Sequence, residues 1–337
     1  MSKPQFAARD LVGYGGRPPV VRWPNGALLA VSLVVNFEEG AESSIEAGDA
    51  VAEQTGEVTS MIKPGVRDIG QEQLFAYGMR AGVWRMLDAL DRYDVKTTLM
   101  MCGLAVQRAP AIAHALVARG HEAACHGWRW RPHSDFKDPD TERASLQQCI
   151  DVMQSVTGVR PTGFFCRGSQ SEFTRDLLID LGFDYDNNAL DDDLPYWAES
   201  SSGRKILAVP YAKDTNDQKF YQANGFVTSD EFVDYITGAI DALVLEGSRG
   251  VPKMLTIGLH LRIIGRPARI NAFIRILEYL KGLGDKVWIA RRCDIADVWR
   301  AQFPSQAKLD NSARDRQANT SMASCNVNVT DKLLPLK

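Results

Sequence analysis

Of the five histidines in the chain, two close short apolar runs: His126 follows HEAAC (121–125) and His260 ends MLTIGLH (254–260). A third run, VVNF (34–37), passes directly into the carboxylates of Glu38 and Glu39, with Glu42 shortly after. An imidazole that titrates near neutrality can give a proton to a leaving nitrogen, and a carboxylate can take one from water. Glu38 and His260 therefore suit the general base and general acid of amide-type hydrolysis. Arginines close to the same run ends, Arg167, Arg262 and the pair Arg291–Arg292, can hold a carbonyl or ureido group or stabilise an oxyanion. Each group also has a structural reading. A Glu pair can sit in a solvated loop, a histidine can bond a backbone carbonyl in the core, and DDDLPYW (191–197) can be a capped turn.

The elements that would position these residues follow from periodicity. Eight strand-like runs, 27–37, 95–101, 121–125, 163–166, 183–187, 206–210, 254–259 and 286–290, alternate with helical stretches at 81–93, 109–119, 140–156, 230–247 and 268–283. That alternation predicts an α/β fold, a (β/α) barrel of parallel strands, distorted around its fifth and sixth strands. Barrels of this kind gather their chemistry at the C-terminal ends of strands. Glu38, His126, Arg167, Asp191–193, His260 and Arg291 all fall at predicted ends. The insertion 40–78 has little periodicity and follows the first strand, which suits a lid or a contact between copies in a homo-oligomer. Residues 1–27 are expected to form an arm packed on a single domain spanning 28–303, and the polar segment 304–337 to form a tail.

Composition narrows the partners. A net charge of −3 and a pI near 6.0 offer no attraction for nucleic acid or an anionic membrane surface. No apolar stretch reaches membrane-spanning length and the N-terminus lacks the order of a secretory signal, so a cytoplasmic protein with a small-molecule substrate is expected. The six cysteines include no CxxC pair, which points to buried reduced thiols rather than a zinc ribbon or redox dithiol.

The order of the motifs NFEEG (36–40), GHEAACHGWRW (120–130), RPTGFFCR (160–167) and GLH (258–260) resembles the polysaccharide deacetylase superfamily. Within it the chain is similar to the cofactor-independent allantoinases, through RDLVGYG (9–15), VVNFEEGAE (34–42), YGMRAGVWR (77–85), HGWRW (126–130), DDDLPYW (191–197), GLHLRIIGRPAR (258–269) and VWIARRCDIADVWR (287–300). The resemblance implies hydrolytic opening of a small cyclic amide such as allantoin or a related hydantoin. It assigns Glu38 as base, Arg167 as the arginine that positions it, His260 as acid, and Glu39 and His126 to positions that hold metal in the deacetylases. Trp130 stands where those enzymes place their second ligand histidine. Indole cannot coordinate zinc, so a metal-free site is expected, with Glu39, His126, Trp128, Trp130, Asp192, Arg262, Arg266 and Arg291 around the substrate. The alternatives are a zinc site of Glu39, His126 and His133 in an N-deacetylase of an acetylated sugar polymer, or a barrel without catalysis that serves binding.

Overall fold

The first strand carries the architecture. β1 (Leu29–Phe37) is buried along all nine residues, LAVSLVVNF, and no polar face is left for solvent. Such a strand must be covered on both sides, which is the pattern of a parallel sheet wrapped by helices. In the computed structural model, which describes residues 9–305, β1 pairs along its full length with β8 (Lys253–His260). Its other edge is shared. β2 (Thr98–Met101) takes the upper part from Val34 to Phe37, and β9 (Val287–Ile289) takes the lower part from Leu29 to Val31.

The sheet continues from β2 through β3 (Glu122–Cys125), β4 (Gly163–Phe164) and β5 (Tyr185–Asp186) to β7 (Lys205–Ala208), all parallel. It ends on β6 (Tyr196–Glu199), which runs antiparallel to β7. The result is a curled, mixed-sheet half-barrel with its seam between β6–β7 and β8. The eight-strand expectation missed β6. Its YWAE is only partly buried at the sheet edge, so it shows no continuous apolar run, and Pro195 just before it marks a turn.

Helices pack outside the sheet: α1 (Ile69–Tyr77), α2 (Val83–Arg92), α3 (Gly103–Arg108), α4 (Pro110–Val117), α5 (Pro139–Thr157), α6 (Thr174–Asp180), α7 (Ser229–Ser248), α8 (Leu261–Ile264), α9 (Pro267–Gly282) and α10 (Arg292–Gln302). Their ends follow local chemistry. Asp138 caps α5 by accepting from Thr141 N, and Gly158 ends it at φ 75, a left-handed position that glycine takes without strain. Thr228 and Glu231 form a reciprocal capping box on α7. Odd-numbered residues of β1, from Leu29 to Phe37, belong to the main core beneath these helices. Even-numbered ones face the barrel interior, where Val34 packs with Met100, Ala124, Phe165 and Tyr211.

The region up to Gln302 is one compact unit. Within it the arm is anchored by Trp23, whose indole donates to Lys253 O at 2.9 Å and packs 5.8 Å from Trp288. The tail expected from residue 304 lies outside the described residues beyond 305. Four of the cysteines, Cys102, Cys125, Cys149 and Cys166, are buried free thiols. No helix among the described residues is long and apolar enough to cross a membrane.

The 40–78 insertion holds more structure than its sequence announces. It ends in α1, and a π-helical turn, Gly78–Gly82, joins α1 to α2. This turn presses against α8: a methyl group at Gly82 would collide with the Leu261 carbonyl. Gly82→Ala is therefore expected to lower stability by about 1–3 kcal/mol through overpacking. Thermal unfolding checks this, and an unchanged melting temperature would refute the close approach.

Candidate active site

Strand alternation sorts the polar residues. In β1 the interior parity runs Ser32, Val34, Asn36 and on to Glu38, while Glu39 takes the opposite parity and turns toward the helices. The same rule brings His126 inward after β3 and His260 inward at the end of β8. The register Asn36↔His260 places Glu38 beside His260 at one level of the barrel. Glu38 and both histidines are almost fully buried at the base of a cavity of about 220 Å³. Its wall also includes Asn36, Trp130, Phe165, Arg167, Tyr211, Lys213 and Asn216.

Glu38 is the hub. Its Oε1 lies 2.6 Å from Arg262 Nη1 and 3.6 Å from His260 Nε2, and its Oε2 lies 3.4 Å from His126 Nε2. Burial alone would raise its pKa, but Arg262, His260 and His126 together outweigh burial and hold the carboxyl well below the usual range. Neither oxygen accepts a well-aligned hydrogen bond from protein, so lone pairs remain free for water.

The two imidazoles are oriented from behind. His260 Nδ1 meets Asp217 Oδ1 at 2.6 Å, and the other Asp217 oxygen accepts the backbone N–H groups of His260 and Ile264. A carboxylate can only accept, so His260 keeps its proton on Nδ1 and directs Nε2 at the cavity. His126 is fixed likewise by Phe165 O, 2.9 Å from Nδ1, and its ring stacks on Phe165 at 5.3 Å. In a neutral ring both Nε2 atoms are lone pairs aimed at a carboxylate. A proton on one ring, or a water between them, makes the arrangement attractive.

Several expected residues lie elsewhere or act differently. Arg167 lines the cavity but does not hold Glu38. It donates to both oxygens of Glu53, at 2.6 and 3.0 Å, and covers the Trp130 ring at 3.7 Å. The arginine on Glu38 is Arg262, which is buried rather than at a rim, with its guanidinium 4.2 Å above Phe75 and 5.0 Å from Trp130. Glu39 faces away from the cavity. Its Oε1 accepts Arg262 N at 3.0 Å, its Oε2 faces Glu38 N at 3.2 Å, and burial raises its pKa against the pull of Arg262.

Trp128 packs on Gly103 at the start of α3, outside the cavity lining. Asp192 accepts Leu194 N at 3.0 Å on the barrel seam, beside Gly13 of the arm. Arg266 lies over the Tyr77 ring at 3.8 Å and pairs with Glu57 at 3.2 Å, also outside that lining. Arg291 is at the wrong end of the barrel. β9 reaches only the lower third of β1, so Arg291 emerges at the floor, where it binds Asp294 at 2.7 Å.

The zinc set Glu39, His126 and His133 does not fit a metal. Glu39 is turned away and spent on backbone N–H groups, and His133 Nδ1 is tied to Glu142 at 2.8 Å in the core. Among the described residues no three His, Cys, Asp or Glu side chains are grouped to hold a metal ion. Missed from the sequence were Asp217, Asn36, Glu53, Tyr211 and Lys213. Tyr211 and Lys213 follow the recognised strand ILAVP, and a search of that strand's C-terminal end would have found them.

Glu42 offers a test of this buried charge. Burial raises its pKa to about 7, although its Oε2 accepts Gly40 N at 2.5 Å. A carboxyl with a raised folded pKa favours folding below the unfolded value and loses that advantage as pH rises to the folded one. Glu42→Gln should therefore melt increasingly above wild type between pH 4.5 and pH 7, gaining up to about 3 kcal/mol at ~1.4 kcal/mol per pH unit. A gap that does not vary with pH would contradict the assignment.

Comparison with known proteins identifies the family and the fold. Residues 72–185 match the polysaccharide deacetylase family model. A Schizosaccharomyces pombe protein described as a "Putative polysaccharide deacetylase" is 35% identical over 90% of this chain and all of its own length. The crystal structure of PuuE allantoinase is 42% identical, with a TM-score of 0.84 over 90% of this chain and 100% of that one. A "probable Polysaccharide deacetylase" from Pseudomonas aeruginosa PAO1 is also 42% identical, with a TM-score of 0.83 over 89% and 100% of the two chains.

Proposed function

We propose that this chain, which belongs to the polysaccharide deacetylase family, opens a small cyclic amide such as allantoin or a related hydantoin, without a metal. The observation that carries this reading is the environment of Glu38. One ionised carboxylate meets two rear-anchored imidazoles in a small cavity, and Trp130, stacked beneath Arg167, stands where the resemblance to the deacetylases would put a ligand histidine. The similarity to PuuE allantoinase supports the substrate class. A cavity of about 220 Å³ has the size for a single ring.

The chemistry follows from the contacts. Water beside Glu38 gives a proton to the carboxylate as its oxygen bonds the carbonyl carbon. His260 Nε2 takes that proton from Glu38 across 3.6 Å and gives it to the leaving nitrogen as the C–N bond breaks, which restores both groups. Asp217 stabilises the charged imidazole and keeps its tautomer, as the carboxylate does in a Ser-His-Asp triad. His126 orients Glu38 and the water.

A single panel tests the reading: purified protein with chelator or with added zinc, assayed on allantoin, hydantoin, succinimide and N-acetylglucosamine oligomers. Ring opening that survives chelation is expected, and zinc-dependent release of acetate from the oligomers would overturn it. Glu38→Gln and His260→Ala should each remove most turnover in protein that still folds, with Glu38→Gln melting lower because buried Arg262 loses its 2.6 Å partner. Asp217→Asn, which loses the acceptor that fixes the tautomer, should lower kcat by about 10²-fold or more. Near wild-type turnover in any of the three would refute the assigned roles.

A further inference from the structure

Four of the five carboxylate, imidazole and cationic side chains that line the cavity are already engaged: Glu38 by Arg262, His126 by Phe165 O, Arg167 by Glu53 and His260 by Asp217. The fifth is Lys213. Among the described residues it makes no ion pair or hydrogen bond. Its ammonium instead rests 5.2 Å from the Phe165 ring centroid and 5.3 Å from that of Tyr211, rings that stack on each other at 4.5 Å. Two aromatic faces can hold a cation in place while leaving its N–H groups free to donate. Beside it the Tyr211 oxygen accepts from Asn36 Nδ2 at 3.3 Å and Asn216 Nδ2 at 3.0 Å. With two N–H groups already on that oxygen, the hydroxyl hydrogen remains to be donated.

We propose that the Lys213 ammonium, with the Tyr211 hydroxyl next to it, binds the scissile carbonyl oxygen and carries its charge in the tetrahedral intermediate. This rests on the amide-hydrolysis reading above and names the part that reading lacks. As water oxygen bonds the carbonyl carbon, the C=O π pair moves onto the oxygen held by Lys213. When the pair returns, the C–N bond breaks and the nitrogen takes its proton from His260. Lys213 is exposed at the mouth of this cavity, and a donor already positioned at the carbonyl oxygen acts on the developing charge without reorganising at the moment of reaction. Lys213 and Glu38 line the same cavity without an ion pair between them. Partial burial lowers the lysine pKa, and the Glu38 carboxylate opposes that shift.

The test is steady-state kinetics of Lys213→Met, Lys213→Arg and Tyr211→Phe beside wild type, with melting curves to establish folding. Lys213→Met is expected to lower kcat about 10²-fold while KM changes less than about threefold, because an oxyanion contact exists only in the transition state. Lys213→Arg should fall between the two. Tyr211→Phe should lower kcat by about tenfold, and the Met–Phe double variant should lose less than the product of the single losses. An unchanged kcat in Lys213→Met would overturn the proposal. So would a raised KM with kcat intact, since that marks ground-state binding. If wild type releases acetate instead of opening rings, the cyclic-amide reading falls, and the same kcat comparison on acetate release still decides the role of Lys213.

Discussion

The structure turns on the burial of two adjacent carboxylates against one guanidinium. Glu38 and Glu39 are both removed from solvent, and Arg262 is the cation that faces both, 2.6 Å from the first and 3.5 Å from the second. Leaving either charge unpaired in such a place costs several kcal/mol, so α8 must close tightly over the end of β1. That closure needs small residues where the backbones meet. Gly78 lies against Glu39, and Gly82 lies against the Leu261 carbonyl. Phe75 from α1 and Trp130 from the loop after β3 then cover the guanidinium with aromatic faces. The insertion after β1 is thus part of the wall that keeps Arg262 dry rather than a separate flap. The charge at the site and the packing of α1, the π turn and α8 are one problem with one solution.

Below that level the barrel interior is polar, and it is satisfied almost completely. Arg292 fills the centre: its guanidinium donates to Thr256 Oγ1 at 2.7 Å and to the carbonyls of Val209 and Pro210 at 2.5 Å, and also to Asn187. Tyr185 donates to Glu122, and Glu122 accepts from Thr98 Oγ1 at 2.7 Å. Burial pulls the arginine pKa down to about 10, still far above neutrality, so it remains a cation held largely by neutral oxygens. This plug closes the floor and leaves the upper end as the site of chemistry. A polar network of this kind fixes the barrel geometry because each group has one set of partners.

The strand ends were legible in the sequence, and so were the residues that alternation carries inward from them. Glu38, His126 and His260 stand where an apolar run stops, and strand register makes those three points neighbours. Trp130 was legible as cavity wall, whereas Arg167, expected to position the base, pairs with Glu53, which lies 114 residues away in a segment with no periodic pattern. Where reading failed, the cause was geometry that one-dimensional spacing does not carry. Glu39 adjoins Glu38 but takes the opposite strand parity. Arg291 follows a strand too short to reach the upper end. Asp217 comes from a loop after β7 and meets His260 across 43 residues. β6 and α1 went unseen because one is an exposed edge strand and the other lacks an amphipathic pattern.

In a metal-dependent hydrolase the ion does two jobs: it makes water a better nucleophile and it draws charge onto the carbonyl oxygen. Among the described residues no three His, Cys, Asp or Glu side chains gather for an ion, and on the metal-free reading we propose, the protein divides those jobs among side chains. Nucleophile activation falls to Glu38, with His260 beside it and Asp217 behind. The drawing of charge falls to a cation, and the cavity holds two. Arg167 is committed to Glu53 and spreads its charge over Trp130, so it shapes the wall. Lys213 makes no ion pair or hydrogen bond among the described residues and rests against aromatic rings, so its N–H groups are free to donate into the cavity. Trp130 serves both halves of this arrangement. It removes a ligand, and it supplies the surface on which the two arginines rest.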